Sequence, residues 1–204
     1  MKLTMQTASA EYDIILERGC INRISSFINL NRKVFILTDD NIPDRWVDTV
    51  QAQCPNSTVY RVASGEESKS MQTYEKVLTA CLEFHMSRKD LLIALGGGVI
   101  GDLAGFVAAS YMRGIDFMSI PTTTLSQIDS SIGGKTAINL GKVTNIVGAF
   151  YHPKLVLIDF DTLSTLPERQ KINGLAEAIK AGLIRNPALF ELFEREDYED
   201  HLEE

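Results

Sequence analysis

A short apolar run, Leu91 to Leu95, meets three consecutive glycines, Gly96, Gly97 and Gly98, and then a helical repeat of apolar residues from Val99 to Tyr111. No other feature constrains the fold as much. Five apolar residues closed by a turn signal suit a buried strand. A strand that passes through glycine into a helix N-terminus gathers free backbone N–H groups and the positive end of a helix dipole at one point, which makes an anion site. Bare glycines let a ligand's phosphates approach that backbone. Gly96, Gly98 and Gly101 match the spacing G-x-G-x-x-G, although many strand–helix turns carry it and bind nothing. The motif also follows several earlier elements instead of opening the first βαβ unit, and Asp116 lies near the start of the next strand, not its end. Asp39, at the end of an earlier strand, is the more plausible ribose partner.

The remaining pattern alternates. Leu3 to Thr7 and Tyr12 to Leu16 read as paired strands near an edge. Val34 to Leu37 is a buried-type strand ending in the turn signal Thr38-Asp39-Asp40-Asn41, and Ile42 to Cys54 reads as a helix with Pro43 near its start. Thr58 to Val62 is the next strand, Ser64 to Lys69 a polar loop and Tyr74 to Phe84 a helix. After the glycine turn, Phe117 to Ile120 is a strand that runs through Pro121 to Thr124 toward another helix. Ser130 to Thr136 is a small-residue loop carrying Lys135, and Leu155 to Ile158 is the last strand. Strands alternating with helices of about a dozen residues imply right-handed crossovers and an α/β, Rossmann-like, doubly wound and mostly parallel sheet. Two ligand-facing turns in succession place one long crevice at the carboxyl ends of its strands. Past Leu166-Pro167 the pattern changes to a long helix, Glu168 to Ile184, then a second one capped by Asn186-Pro187 and an acidic tail. The expected division is an α/β domain over 1–165 and the beginning of an all-helical domain over 166–204.

Composition narrows the function. With 204 residues, 45% hydrophobic and 23% charged, the chain reads as an ordinary globular protein. No apolar run reaches membrane-span length and MKLTMQTASA lacks a signal peptide's core, so neither membrane nor export is expected. Cys20, Cys54 and Cys81 are odd in number and far apart, which points to a reducing cytoplasm. A net charge of −7 speaks against nucleic acid, so an anionic ligand must be held by local cations.

Several polar residues stand out against duller readings. Asp102 either stabilises a helix N-terminus or binds the non-phosphate part of a nucleotide. Arg113 is a solvated cation or a bidentate phosphate ligand. Asp129, Lys135 and Asn145 lie in an otherwise small or apolar stretch, where a single lysine can meet a substrate phosphate or carboxylate. Glu177 and Lys180, three apart on one helix face, make a surface ion pair unless their small, apolar neighbours turn that face inward. His85 four after Cys81, His152 and His201 read as ordinary polar residues.

The segments GGGVIGDLAGFVAASYMRG, IPTTTLSQIDSSIGGKTAIN and TLPERQKINGLAEAIK together resemble 3-dehydroquinate synthase, with SSIGGKTA the most specific part. The resemblance implies a lyase of the shikimate pathway that converts 3-deoxy-D-arabino-heptulosonate 7-phosphate to 3-dehydroquinate and phosphate. NAD and a divalent metal, zinc or cobalt, serve its transient oxidation, phosphate elimination, re-reduction and aldol closure. It further implies that Asp39, Asn41, Glu66 and Lys69 approach the adenosine end of NAD, that Gly97 and Gly98 bind pyrophosphate and that Asp102 lies near the nicotinamide. Thr122, Thr123, Leu125, Thr165 and Leu166 line the groove. Asp129, Lys135, Asn145 and Lys180 contact the sugar phosphate substrate, Arg113 reaches it from the partner of a homodimer, and Glu177 is a metal ligand. Thr144 stands where the family usually has Lys, and Lys142 is the nearest replacement among the cofactor contacts. The family's two metal-binding histidines have no match before Glu204, so a truncated chain with an incomplete metal site and no turnover of its own is expected. A related cyclase such as 2-deoxy-scyllo-inosose synthase, or a non-catalytic nucleotide-binding or dimerisation module, is the alternative.

Overall fold

The computed structural model describes residues 1–7 and 10–195. Its centre is a seven-stranded sheet in the order β1 (Lys2–Gln6), β2 (Glu11–Leu16), β9 (Leu155–Ile158), β6 (Asp116–Pro121), β5 (Leu91–Gly96), β3 (Lys33–Asp39), β4 (Asn56–Val62). Only the β1–β2 pair at the edge is antiparallel; the other pairings are parallel. Consecutive strand residues point to opposite faces, and two cores follow. Val34, Ile36, Leu91, Ile93 and Leu95 pack with Val47 and Val50 of α1 (Asp44–Gln51) and with a 3₁₀ segment, Cys20–Ser26. Phe35, Leu37, Leu92 and Ala94 pack with α2 (Met71–Glu83) and α3 (Gly98–Ser110). Every residue of β5 is buried, each fully buried Leu or Ile contributing about 1.5–3 kcal/mol.

From β3 the chain steps outward to β4, then returns to β5 on the other side and continues through β6 to β9. The order therefore reverses between β3 and β5. That reversal opens a crevice at their carboxyl ends, where Asp39 and the three glycines lie.

Two local expectations are corrected. The helix expected over Ile42 to Cys54 covers only Asp44–Gln51, because Pro43 caps it and Ala52 begins a turn. The loop expected around Lys135 leads straight into a hairpin, β7 (Lys135–Leu140) with β8 (Val143–Phe150). This hairpin covers the outer side of α3, with Ile138 and Val147 in the same cluster, which is why α3 is apolar around most of its circumference. A Cβ on Gly105 of α3 would lie 2.3 Å from Thr136 Cγ2, so the close approach requires glycine.

Beyond β9, Asp159 is fully buried and accepts from the amides of Gly19 (3.0 Å), Ile21 (2.9 Å) and Asp161 (3.0 Å). It thereby caps the 3₁₀ segments at Cys20–Ser26 and Phe160–Thr165 together. Then come α4 (Glu168–Arg185) and α5 (Pro187–Phe193), the latter capped by the Asn186 side chain. No strand follows β9 among the described residues, and His201 with the acidic tail beyond Arg195 lies outside them. Among the described residues no helix is long and apolar enough to cross a membrane.

Candidate functional site

Two depressions adjoin at the N-terminus of α3. The first, about 400 Å³, has Asp39 and Asn41 on one wall, Gly97 and Gly98 at its base, Thr122 and Thr123 after β6, and Thr165 and Leu166 on the far rim. The expected groove residues thus converge, Leu125 excepted. No side chain caps the amides of the first turn of α3, so they remain available to an anion. Both glycines are needed for close approach: a Cβ on Gly97 would sit 3.1 Å from Thr123 Cγ2, and one on Gly98 3.0 Å from Ser130 Oγ. The hydroxyls of Thr122 and Ser130 are buried without a hydrogen-bond partner, an arrangement that a polar ligand relieves. Asn41 N–H donates to Asp39 Oδ1 at 2.9 Å. Burial raises the Asp39 carboxyl above the usual range, partly offset by that amide.

The second depression, about 510 Å³, is lined by Asp102, Asp129, Ser130, Lys135 and Asn145, with Ile146 and Phe150 of the hairpin as its apolar side. Lys135 opens β7 directly after Gly133 and Gly134, whose φ of 93° and 71° are left-handed and favour glycine. Asp129 lies on a π-helical turn, Ser126–Ser130. Lys180 of α4 feels its charge.

The segment Ser64 to Lys69 is the expected polar loop with one short 3₁₀ turn, but Lys69 at its end is buried. Only 3% exposed, it donates to Asp102 Oδ2 at 2.6 Å and to Asn145 Oδ1, with Glu66 at 3.5 Å. Burial raises the Asp102 carboxyl, and the hydrogen bond from Lys69 pulls it part of the way back. Asn145 is held in a left-handed conformation, φ 55°, its N–H donating to Asn139 Oδ1 at 2.8 Å while Asn139 Nδ2 donates to Glu66 Oε1 at 2.8 Å. Glu66 and Lys69 therefore stand behind the second depression, through Asp102 and Asn145, and do not line the first.

On α4, Glu177 and Lys180 do form the ion pair. Glu177 raises the Lys180 ammonium above its ordinary value. Neither lines a depression, but Lys180 is close enough to Asp129 of the second to feel its charge, and Gly174 of the same helix packs against Thr124 and the Leu125 amide. Leu125 lines a shallower hollow with Thr123 and Gln170. Lys142 and Arg113, also expected at the site, line neither depression. Lys142 sits exposed in the hairpin turn, and Thr144 on β8 lines neither depression either. Arg113 lies beyond the opposite end of α3, roughly 20 Å of helix away, in an exposed turn where Met112 and Arg113 both have positive φ. Among the described residues no three His, Cys, Asp or Glu side chains cluster as a metal site, leaving Glu177 a single candidate ligand.

Ser130, Trp46 and Gln170 were not singled out in the sequence. A serine beside Asp129 carries no signal until the turn brings it to Gly98, and the other two reach the first depression only because α1 and α4 meet across it.

A crevice at a sheet reversal, floored by a glycine-opened helix, defines a dinucleotide-type α/β domain. Solved structures of the same shape include 2-deoxy-scyllo-inosose synthase complexed with carbaglucose-6-phosphate, NAD+ and Co2+, at TM-score 0.85 and 27% identity, covering 90% of this chain and 52% of that one. Another is ValA, the 2-epi-5-epi-valiolone synthase of Streptomyces hygroscopicus with NAD+ and Zn2+ bound, at TM-score 0.84 and 29% identity, covering 93% and 54%. The 3-dehydroquinate synthase of Clostridium botulinum is 45% identical over 196 residues, 93% of this chain and 56% of the relative. The family model described as 3-dehydroquinate synthase N-terminal matches residues 59–173, more than half of the chain, and the chain belongs to that family. It spans just over half the length of the curated relatives it matches.

Proposed function

We propose that this chain is the NAD-binding part of a 3-dehydroquinate synthase, with residues 1–165 as the nucleotide domain and 166–204 as the start of a helical domain for metal and substrate. The whole protein is then a cytoplasmic, homodimeric carbon–oxygen lyase that converts 3-deoxy-D-arabino-heptulosonate 7-phosphate to 3-dehydroquinate and phosphate. One observation carries the reading: the uncapped amides of α3, behind Gly97 and Gly98, open onto the first depression, while Asp102 on the same helix and Ser130, which packs against Gly98, line the second. A dinucleotide in the first depression meets a substrate in the second at that point.

The residues present fit NAD. The amide cradle takes the pyrophosphate, Asp39 and Asn41 take the adenosine half, and the unpartnered Thr122 hydroxyl gains a bond. Bound NAD would supply reversible hydride acceptance, and a divalent metal Lewis-acid polarisation. Lys135 contributes the cation for an anionic sugar. Asn145 presents its amide from a conformation locked by Asn139, and Asp102, backed by Lys69, faces the same space. Lys180, kept protonated by Glu177, can hold or donate a proton at a substrate oxygen. Arg113, exposed and far from both depressions, suits delivery to a second copy. For the metal, the described residues offer Glu177 alone, and no step is assigned to it.

Calorimetry is expected to detect NAD binding to these 204 residues, while phosphate release from the heptulosonate phosphate needs further metal ligands. Turnover by this chain alone would contradict that division. With the full-length protein, release from glucose 6-phosphate in place of the heptulosonate ester would favour a sister cyclase. NAD binding without any lyase activity would leave a binding module.

A further inference from the structure

Resting on the nucleotide reading above, we propose that Trp46 is an adenosine-contacting residue and that its bond to Thr165 closes the rim over the nucleotide. Trp46 is the single tryptophan of the chain. It stands on α1, directly after the strand end that presents Asp39, and lines the first depression with Ile42 and Pro43. Across the opening, its indole Nε1 donates to Thr165 Oγ1 at 2.9 Å. Beside it, Arg45 Nη2 donates to Ser164 Oγ at 2.9 Å while its guanidinium lies 4.4 Å from the indole centroid. The two bonds tie α1 to the 3₁₀ segment Phe160–Thr165, which continues through Leu166 and Pro167 into α4.

Three physical points favour a ligand contact over simple packing. Trp46 is only partly buried: it packs on the core beneath α1 and carries Arg45 over its ring, yet it still lines the cleft. An indole offers a planar apolar wall for a purine, with one N–H left to bind a fixed partner. That N–H is spent on Thr165, which lines the same depression, so the bond closes one end of the space a nucleotide would occupy. In a sheet of this order the half of a dinucleotide nearer β3 is the one beside Asp39, which here is also the half beside Trp46. With the pyrophosphate on Gly97 and Gly98, the other half points toward the second depression, which Trp46 does not line. Adenosine diphosphate and nicotinamide mononucleotide therefore discriminate between contact and coincidence.

The experiment titrates the chain with NAD, adenosine diphosphate and nicotinamide mononucleotide, followed by calorimetry and by Trp46 emission in parallel. Adenosine diphosphate is expected to change the emission with the same midpoint as its heat, and nicotinamide mononucleotide to leave the emission unchanged. Trp46→Ala should weaken adenosine diphosphate about tenfold, the scale of one well-packed aromatic contact. Thr165→Val keeps the tryptophan and removes the bond, so it should weaken the same ligand by roughly threefold and guards against a Trp46→Ala chain that fails to fold. Calorimetric NAD binding with silent emission, or with unchanged adenosine diphosphate affinity in both variants, overturns the proposal and leaves the nucleotide reading standing. No heat with NAD or adenosine diphosphate overturns both.

Discussion

Gly98 and Asp39 are destabilised or constrained for the sake of the ligand, and each makes a separable prediction. A methyl group on Gly98 meets Ser130 Oγ at 3.0 Å and fills the approach to the α3 amides. Because the helix-propensity gain of alanine over glycine, up to about 1 kcal/mol, is offset by crowding of Ser130, Gly98→Ala should change thermal stability little while NAD affinity falls at least about tenfold by calorimetry. Asp39 is raised by burial. Its folded-state pKa lies above its unfolded value, so the native state binds more protons and stability falls as pH rises through that interval. Asp39→Asn should therefore be more stable than the parent at pH 7, with the difference gone below the unfolded value of about 3.9, and should bind NAD more weakly. Thermal melts at the two pH values check it. Asp39 was readable in the sequence from its place at a strand end. Lys69 was not: in sequence it ends a polar loop, and its burial exists only because the hairpin β7–β8 folds over it.

At the scale of elements, one carboxylate joins two ends of the chain. Asp159 caps 3₁₀ segments that begin some 140 residues apart, and all three amides lose their acceptor together in Asp159→Ala. Several buried hydrogen bonds to a charged group, at about 1–3 kcal/mol each when left unsatisfied, predict a loss of about 2–4 kcal/mol in denaturant unfolding. Most elements were legible from periodicity: β5, α3 and α4 fall within a residue or two of expectation. The hairpin was not, because Gly133, Gly134 and the small residues around Lys135 read as loop until α3 offers them an apolar surface. Without that surface its apolar residues have nothing to pack against.

For the molecule as a whole, the odd set of cysteines now has a physical account. Cys20 and Cys81 are pushed up to about 12, and Cys54 to about 11, by burial. All three should resist a thiol reagent at pH 8 in the native state and all three should react once denaturant unfolds the chain, as read by absorbance. A thiol that reacts at the free-cysteine rate in the folded chain would show the two-sided core to be open at that point.

The sequence by itself determined the periodic elements, the parallel sheet and the glycine-opened helix, since these depend on apolar spacing and on the absence of Cβ atoms within a few residues. It also carried the family, through motifs in which each residue's neighbours in sequence are its neighbours in the site. Tertiary structure alone decided that Lys69 is buried behind Asp102 and Asn145, that Trp46 meets Thr165, and that Lys142 points to no site. Those facts join residues from 33 to 119 positions apart, and only the packing of helices and hairpin on the sheet brings such pairs within hydrogen-bond distance.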